Sequence, residues 1–414
     1  MKFLCDLHLH SKHELSASKQ MDLWHIDEFA AKKGIRLIGT GDCLHPEQLK
    51  DLKMNLVETS DGLFKARDIS YGTHFMLTTE INCSCIWNDH NRKVHMLILF
   101  PSFEAVEKVN NLLKIFGETK QKPRPTYILA PKFLLEYVKD TVPECEIIPA
   151  HVLTPWFGLL GSRHGYDSIE EAFEEHTNEL LALETGLSAD PDMITQITGD
   201  QFSLVSFGDA HSIHKIGREM TALDCDMDYK SVIHAIRQKK QLFTVEFYPQ
   251  MGKYYLSGHR DCMTSLEPKE AHGCRVCPTC SRRWVQGVAY RVWQLKKFNN
   301  HPKLPVKYTL PLKEIIAAAN VYAPGRRGGK PTNRKTDLSV MRKDTRTGEI
   351  YESIIRTSRP EFNILFRHDR KQMEEYMDDH IINAIMQVRK RELTITPGYD
   401  GLYGVVSFNE HKTE

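Results

Sequence analysis

Through the first 250 or so positions one hydrophobic pattern repeats. A short β-branched or apolar run is followed by a stretch whose apolar residues recur at helical spacing. Residues 22–33 read as a helix that Gly34 ends, leading into a strand at Ile35–Gly39. The same alternation predicts strands at Phe75–Thr79, Val94–Phe100, Glu146–Pro149, Leu180–Leu183, Ser203–Phe207 and Leu242–Glu246. Helices are predicted at Phe103–Phe116, Ile169–His176 and Ser231–Lys239, the second behind a cap at Asp167/Ser168. Such alternation points to an α/β domain over residues 1–250, with a parallel sheet closed into a barrel.

After residue 250 the pattern changes. Residues 251–300 are hydrophilic and rich in cysteine, too few to hold a core without a staple. Residues 301–414 read as a basic, mainly helical domain, with helices at Pro311–Ala319 and across Gln372–Arg391. Between these helices, Pro324–Pro331 is a basic loop by composition.

The formal net charge of +1 conceals a strong asymmetry. Cys274–Pro360 carries 19 Lys+Arg against 5 Asp+Glu, so an acidic body is joined to a basic segment. That is the distribution expected of a polyanion-binding attachment on an acidic catalytic domain. No apolar run approaches the ~20 residues of a membrane span, so no membrane partner is expected. Met1–His10 has no basic stretch followed by an apolar one, and a secretory leader is not expected. The ten cysteines then read as thiols or metal ligands of a cytoplasmic protein.

Chemistry concentrates where strands end. His8 and His10, two apart after the first strand, face one side of an extended chain and can chelate a divalent metal. Asp42 and His45 follow the second strand, and Glu80 ends the third. His95, His151, and the Asp209/His211 pair accompany later strands. In barrel enzymes the carboxyl ends of the strands converge on one face, where all these groups would meet. Nine candidate ligands exceed the needs of one ion, so two or three divalent ions (Zn, Mn or Mg) are expected. Glu80 or Asp209 could bridge two of them. Such clusters suit phosphate-ester hydrolysis, with the attacking water activated by metal. Neither a Ser-His-Asp order nor a phosphate-binding glycine loop nor a His-Glu-x-x-His motif is present to suggest another mechanism.

A second metal signature lies downstream. Cys277-Pro278-Thr279-Cys280, with His259 and Cys262 upstream, completes four ligands for a structural zinc; Cys274 could replace His259.

These residues resemble the polymerase-and-histidinol-phosphatase (PHP) phosphoesterases, which implies a distorted (β/α)7 barrel with a trinuclear metal site. The matching positions are His8-x-His10, Asp42, Glu80, His95, His151 and Asp209-x-His211. Two departures stand out. The second motif reads Asp42-Cys43 where an Asp-His pair is usual, leaving Asp42, His45 or Cys43 as its ligand. Ser16 stands near the place of an additional histidine. The order of further motifs is similar to that of the endonuclease Q family: Gly252-Lys253-Tyr254, Gly258-His259-Arg260-x-Cys262, Cys277-Pro-x-Cys280, Gly287-Val288, Arg291-Val292 and Ile395–Gly404. This resemblance implies a metal-dependent endonuclease that recognises deaminated bases (uracil, hypoxanthine, xanthine) and abasic sites in DNA. It implies cutting on the 5′ side of the lesion, with His8, His10, Glu80 and Asp209 as the catalytic core.

An enzyme of that kind must extrude a base and hold it against an aromatic or apolar wall. Trp156 and Phe157, just beyond His151, are candidates for stacking or wedging, and Glu184 for contacting substrate or orienting a ligand. Arg326, Arg327 and Lys330, with Arg334 and Lys335, would meet phosphates. Damaged DNA is thus the expected partner of a monomer. A sliding clamp would suit a repair enzyme, but no clamp-binding motif is present. Two other readings fit parts of the chain. A phosphatase of small phosphomonoesters leaves the zinc module and basic segment without a purpose. A DNA-binding accessory protein without activity sits poorly with so complete a ligand set.

Overall fold

The computed structural model describes residues 1–68, 70–117, 124–299, 303–321, 345–358 and 360–408. The N-terminal part is built on β1 (Lys2–Asp6), β2 (Ile35–Gly39), a hairpin β3 (Leu56–Ser60) and β4 (Leu63–Ala66), and a long hairpin β5 (His74–Trp87) and β6 (His90–Phe100). Then come β7 (Thr126–Ile128), β8 (Glu146–Pro149), β9 (Leu183–Glu184), β10 (Leu204–Val205), β11 (Met220–Asp224) and β12 (Phe243–Phe247). The fold is mixed α/β. β1 pairs in parallel with β2, β2 with β5, and β9 with β10. By contrast β5–β6, β6–β8, β1–β11 and β11–β12 are antiparallel, so the sheet is not parallel throughout as the alternation predicts. Backbone hydrogen bonds carry the path from β8 to β9 (Leu181 N to Ile147 O, 3.1 Å) and from the end of β10 back to the end of β1 (His10 N to Ala210 O, 3.0 Å).

Local chemistry explains the elements that were legible. Asp22 caps the helix Leu23–Lys33 by accepting from His25 N–H, and Gly34 ends it at φ 94°. Its buried Ile26, Phe29 and Ala30 repeat at three- and four-residue spacing against the sheet. β5 runs far past the predicted Thr79. Asn88 and Asp89, at φ 49° and 59°, form a two-residue turn that lets β6 pair with it from Trp87/His90 back to Leu77/Phe100. Those two residues tolerate left-handed backbone, but no Asn-Gly or Asp-Gly signal marks them in the sequence.

The cysteine-rich stretch holds a hairpin, β13 (Ser257–His259) and β14 (Thr264–Leu266), and packs Ala271, Cys277, Trp284 and Tyr290 into a core of its own. Beyond it, β15 (Val306–Thr309) joins the large sheet alongside β12. The helices Leu312–Val321, Thr345–Thr357, Glu361–Phe366 and Asp379–Lys390 pack on Ile315, Ile316, Ile354, Ile364, Ile382 and Ile385. The single helix predicted across Gln372–Arg391 divides into Arg370–Glu374 and Asp379–Lys390, with Tyr376 between them hydrogen-bonded to His368 (2.6 Å). A final hairpin, β16 (Leu393–Thr396) and β17 (Val405–Phe408), carries the loop Pro397–Gly404. This loop docks on residues 250–256: Gly398 N bonds Gln250 O (2.8 Å), Leu256 N bonds Gly398 O (2.9 Å), and Gly404 N bonds Met251 O (2.9 Å).

One buried ion pair fastens the C-terminal helices to the first helix. Lys33 Nζ lies 2.7 Å from Glu361 Oε2, with both side chains at most 5% exposed. Leu312 N–H and the Tyr351 hydroxyl also donate to that carboxylate. Lys33→Met should therefore cost about 3–5 kcal/mol, because it leaves the Glu361 charge buried without its cation. The reading is a lower urea midpoint, and Lys33→Met/Glu361→Gln should regain part of the loss.

Candidate metal centre

Three of the strand ends hold their polar residue in the left-handed region: Asp42 at φ 48°, His151 at 31° and Asp209 at 43°. Such conformations cost roughly 1–3 kcal/mol each and persist where the surroundings over-determine them. Here each aims a side chain at one place. At His151 the approach is closed by Gly186, where a Cβ would stand 2.4 Å from the His151 Cβ.

The side chains converge as two groups, His8/His10/Asp209 and Glu80/His95/His151, with the ligand atoms of each within 4.8 Å of one another. Glu80 joins them. Its Oε1 lies 2.6 Å from His95 Nδ1, 3.1 Å from His151 Nε2 and 3.5 Å from His8 Nε2, while its Oε2 lies 3.3 Å from His10 Nε2. Asp209 Oδ1 stands 3.1 Å from His10 Nε2 and 3.6 Å from His8 Nε2. His8 Nε2 is buried and has no hydrogen-bond partner among the described residues. An imidazole nitrogen left bare beside two carboxylates fits a metal ligand better than a core histidine.

Other carboxylates sit behind the rings. Glu184 takes His8 Nδ1 on both oxygens (2.9 and 3.0 Å) and the backbone N–H of His151 (2.7 Å). Asp42 takes His10 Nδ1 (3.1 Å) on one oxygen and the N–H and hydroxyl of Ser11 (both 2.7 Å) on the other. Both fix ring orientation and leave each Nε2 facing the centre, as carboxylates behind metal-bound histidines do. Glu184 is fully buried in this position, and Asp42 belongs to neither convergent group. His45 also lies outside them, stacked on His13 with centroids 5.0 Å apart, and Cys43 is buried in the core. His211 packs its ring 4.3 Å from that of His10 and keeps Nδ1 3.0 Å from the Asp209 carbonyl.

Two contributors carry no readable sequence signal. Arg124 enters just before β7 and sets Nη1 3.1 Å from Glu80 Oε2, reached only because β7 pairs with the far half of β5. Asp6, the last residue of β1, accepts from Gly208 N–H (2.9 Å) and Gly217 N–H (3.3 Å), tying down the loop that bears Asp209. Burial raises Asp6 to about 7 against those hydrogen bonds.

Electrostatics bind the centre together. Burial opposes ionisation of Glu80, but His95, Arg124 and His8 hold its carboxyl well below the usual range. Burial opposes charging of His8, yet Glu184, Glu80 and Asp209 raise it well above an ordinary histidine. Burial brings His95 down to about 4, leaving a neutral imidazole able to donate to a cation. Protons and Arg124 thus balance the carboxylates, and a divalent ion would have to displace those protons.

The centre opens into a cleft of 470 Å³. Phe157 and Trp156 form one wall, where Phe157, at φ 66°, stacks on His95 (4.4 Å, 13°) and Trp156 lies over the Arg163 guanidinium (5.1 Å). Arg326, Arg327 and Lys330, with Arg334 and Lys335, lie outside the described residues. In the small module His259, Cys262, Cys277 and Cys280 form a third group with ligand atoms within 4.8 Å. Cys274 stands apart from it, with Sγ 3.6 Å from the Glu270 carbonyl. Burial opposes ionisation of Cys277, but the backbone N–H groups of Cys280 and Thr279 bring its thiol down to about 6.

No family model matches the chain. It is similar to the lesion-specific endonuclease PfuEndoQ of Pyrococcus furiosus at 28% identity and TM-score 0.84, covering 100% of this chain and 98% of that one. It is equally similar to an endonuclease Q solved with a 27-mer duplex substrate that has an abasic lesion at the active site: 28% identity, TM-score 0.85, 99% and 97% covered. An uncharacterised protein of Methanocaldococcus jannaschii is 36% identical over 151 residues, which is 36% of this chain and 16% of that protein's length. The uncharacterised Bacillus subtilis protein YqxK is 27% identical over 313 residues, 71% of this chain and 77% of the relative. No described helix is long and apolar enough to cross a membrane.

Glu184→Gln should weaken manganese binding by about 10–100-fold, because it loosens His8 without removing a ligand. Titration calorimetry reads this, and binding should release protons and weaken as pH falls, since the same nitrogens must lose their protons. Cys277→Ser should lower the zinc content by one ion per chain, measured by mass spectrometry, while manganese affinity stays unchanged.

Proposed function

On the footing that this chain belongs to the endonuclease Q family, we propose that it is a metal-dependent endonuclease of damaged DNA. It recognises deaminated bases (uracil, hypoxanthine, xanthine) and abasic sites, and hydrolyses the phosphodiester on the 5′ side. The observation that carries this reading is the placement of Glu80 between two ligand groups, directly behind His95, His151 and Asp209, which line an open cleft. Likeness over the whole length to an endonuclease Q crystallised with a lesion duplex supports the substrate class.

His8, His10 and Asp209 would hold one divalent ion and His95 and His151 another, with Glu80 shared between them. A third ion would fall to His211 and its surroundings. When bound, zinc, manganese or magnesium ions supply polarisation of the phosphoryl oxygens and a water of lowered pKa. The protein's own part is positional. Glu184 and Asp42 keep the His8 and His10 rings turned inward. Arg124, whose guanidinium already faces Glu80, donates to charge that develops on the phosphoryl oxygens. Trp156 offers an apolar surface to an extruded nucleotide, and Phe157 holds the His95 ring flat beneath it. The zinc module carries a structural ion on His259, Cys262, Cys277 and Cys280. We place the protein in the cytoplasm, acting as a monomer on DNA.

The test uses 5′-labelled duplexes, each carrying one uracil, hypoxanthine or abasic site, beside an undamaged control with added manganese or magnesium. A single cut 5′ to the lesion, abolished by Asp209→Ala, is expected. Arg124→Met should lower kcat by about 10²–10³-fold with little change in KM, as loss of one fixed donor to the transition state does. Intact lesion duplexes would overturn the reading. Rapid hydrolysis of free phosphomonoesters in their place would assign the centre to a phosphatase.

A further inference from the structure

Arg218 is the largest fully buried side chain among the described residues, only 2% exposed, and yet it lines the cleft. Its Nε and Nη1 have no hydrogen-bond partner, and it makes no ion pair among the described residues. Its neighbour Glu219 forms no ion pair with it among the described residues, and both Glu219 carboxylate oxygens are buried without a donor at hydrogen-bond geometry. Burial, with Glu246 and Glu184 nearby, pushes the Glu219 carboxyl well above its ordinary range against the pull of Arg218 and Ser206, and so towards the neutral form. Tyr403 hydrogen-bonds the guanidinium from the cleft side. A guanidinium buried with two nitrogens unsatisfied and no ion pair is still costly, and a protein keeps one where something else supplies the anion.

The surroundings suit an anion. Phe247 lies 5.6 Å below the guanidinium as an apolar backing. Lys253 and Tyr403 reach the same cleft, held there by the docked tail: Gly401 N–H donates to the Lys253 carbonyl (2.9 Å). Burial would raise the Tyr403 phenol, but the charges of Arg218, Lys215 and Lys253 bring it below its usual value, so several cations bear on one point. Asp209 and His211 line the same cleft, which places this cationic wall beside the candidate metal centre.

We infer that Arg218, Lys253 and Tyr403 form a second anion subsite in the cleft, which holds a non-scissile phosphate of the cleaved strand. The inference rests on the endonuclease reading for the identity of its ligand. The subsite fixes the distance between a flanking phosphate and the metal centre, so that one particular bond is presented for hydrolysis. It also explains why the C-terminal tail is laid across residues 250–256: that contact completes the wall with Tyr403.

Lesion duplexes in which one phosphate at a time is a neutral methylphosphonate test this directly. They would be cleaved by the wild-type protein, by Arg218→Met and by Lys253→Met, with KM and kcat measured separately. At one non-scissile position, methylphosphonate should raise the wild-type KM about tenfold, the size of a lost charged hydrogen bond, with kcat little changed. At that position it should add little in Arg218→Met or Lys253→Met, whose KM is already raised. Equal penalties at every position in all three proteins would overturn the subsite. Should Arg218→Met unfold, Lys253→Met decides, because that lysine is only half-buried. If the wild type cuts no lesion duplex, the endonuclease reading fails. The subsite is then judged by binding of the same duplexes in calcium, where the variants should flatten the salt dependence by about one phosphate. An unchanged salt slope would overturn the subsite on its own account.

Discussion

A carboxylate without solvent contact, Glu80, sits within 3.5 Å of nitrogens from four histidines and 3.1 Å from a guanidinium. Everything around it follows from the need to offset that charge and to aim the rings that do so. The chain delivers them from separate strands: His8 and His10 after β1, His95 from the middle of β6, and His151 after β8. Left-handed backbone at Asp42, His151 and Asp209 is the local expense of bringing side chains from a curved sheet to one point. Glu184, Asp42 and Asp6 then lock the first set of groups from behind, each using buried hydrogen bonds to a ring or to a loop backbone.

The remainder of the molecule reads as a frame for this centre. The hairpin β5–β6 places Glu80 and His95 on adjacent strands and, through β7, brings Arg124 over the same carboxylate. The small cysteine module and the tail loop close one side of the cleft, where Lys253 and Tyr403 stand. β15, from the C-terminal segment, extends the large sheet next to β12, and the Lys33–Glu361 pair ties that segment to the first helix. Segments that look independent in composition thus share one sheet and one cleft.

Much of this was legible in the sequence for physical reasons. His, Asp and Glu at or just after apolar runs stand out because a buried sheet leaves few places for such groups, and six of the nine candidate ligands fall in the two convergent groups. Glu80, however, does not end its strand but lies within β5, as His95 lies within β6. The spacing of His259, Cys262, Cys277 and Cys280 was readable because a knuckle fixes its ligands locally, and the structure brings those four together without Cys274. What depends on tertiary approach was not legible. Whether Asp42 faces a metal or the back of His10 is decided by the left-handed turn at Asp42, which no pattern announces. Arg124 and Arg218 look like ordinary basic residues until the fold buries one beside Glu80 and the other beneath the cleft wall. Both β6 and the far half of β5 carry polar residues such as Asn82, Ser84 and Arg92, so alternation alone undercounted their length.

On the function proposed above, Glu80 is shared by two metal ions just behind the cleft lining. Anomalous diffraction from crystals soaked in manganese tests it most directly. Two of the peaks should lie about 3.5–4 Å apart, as in two-metal phosphoesterases, one beside His8/His10/Asp209 and one beside His95/His151, with Glu80 between them. A single peak away from Glu80, or none in the cleft at saturating manganese, would contradict it.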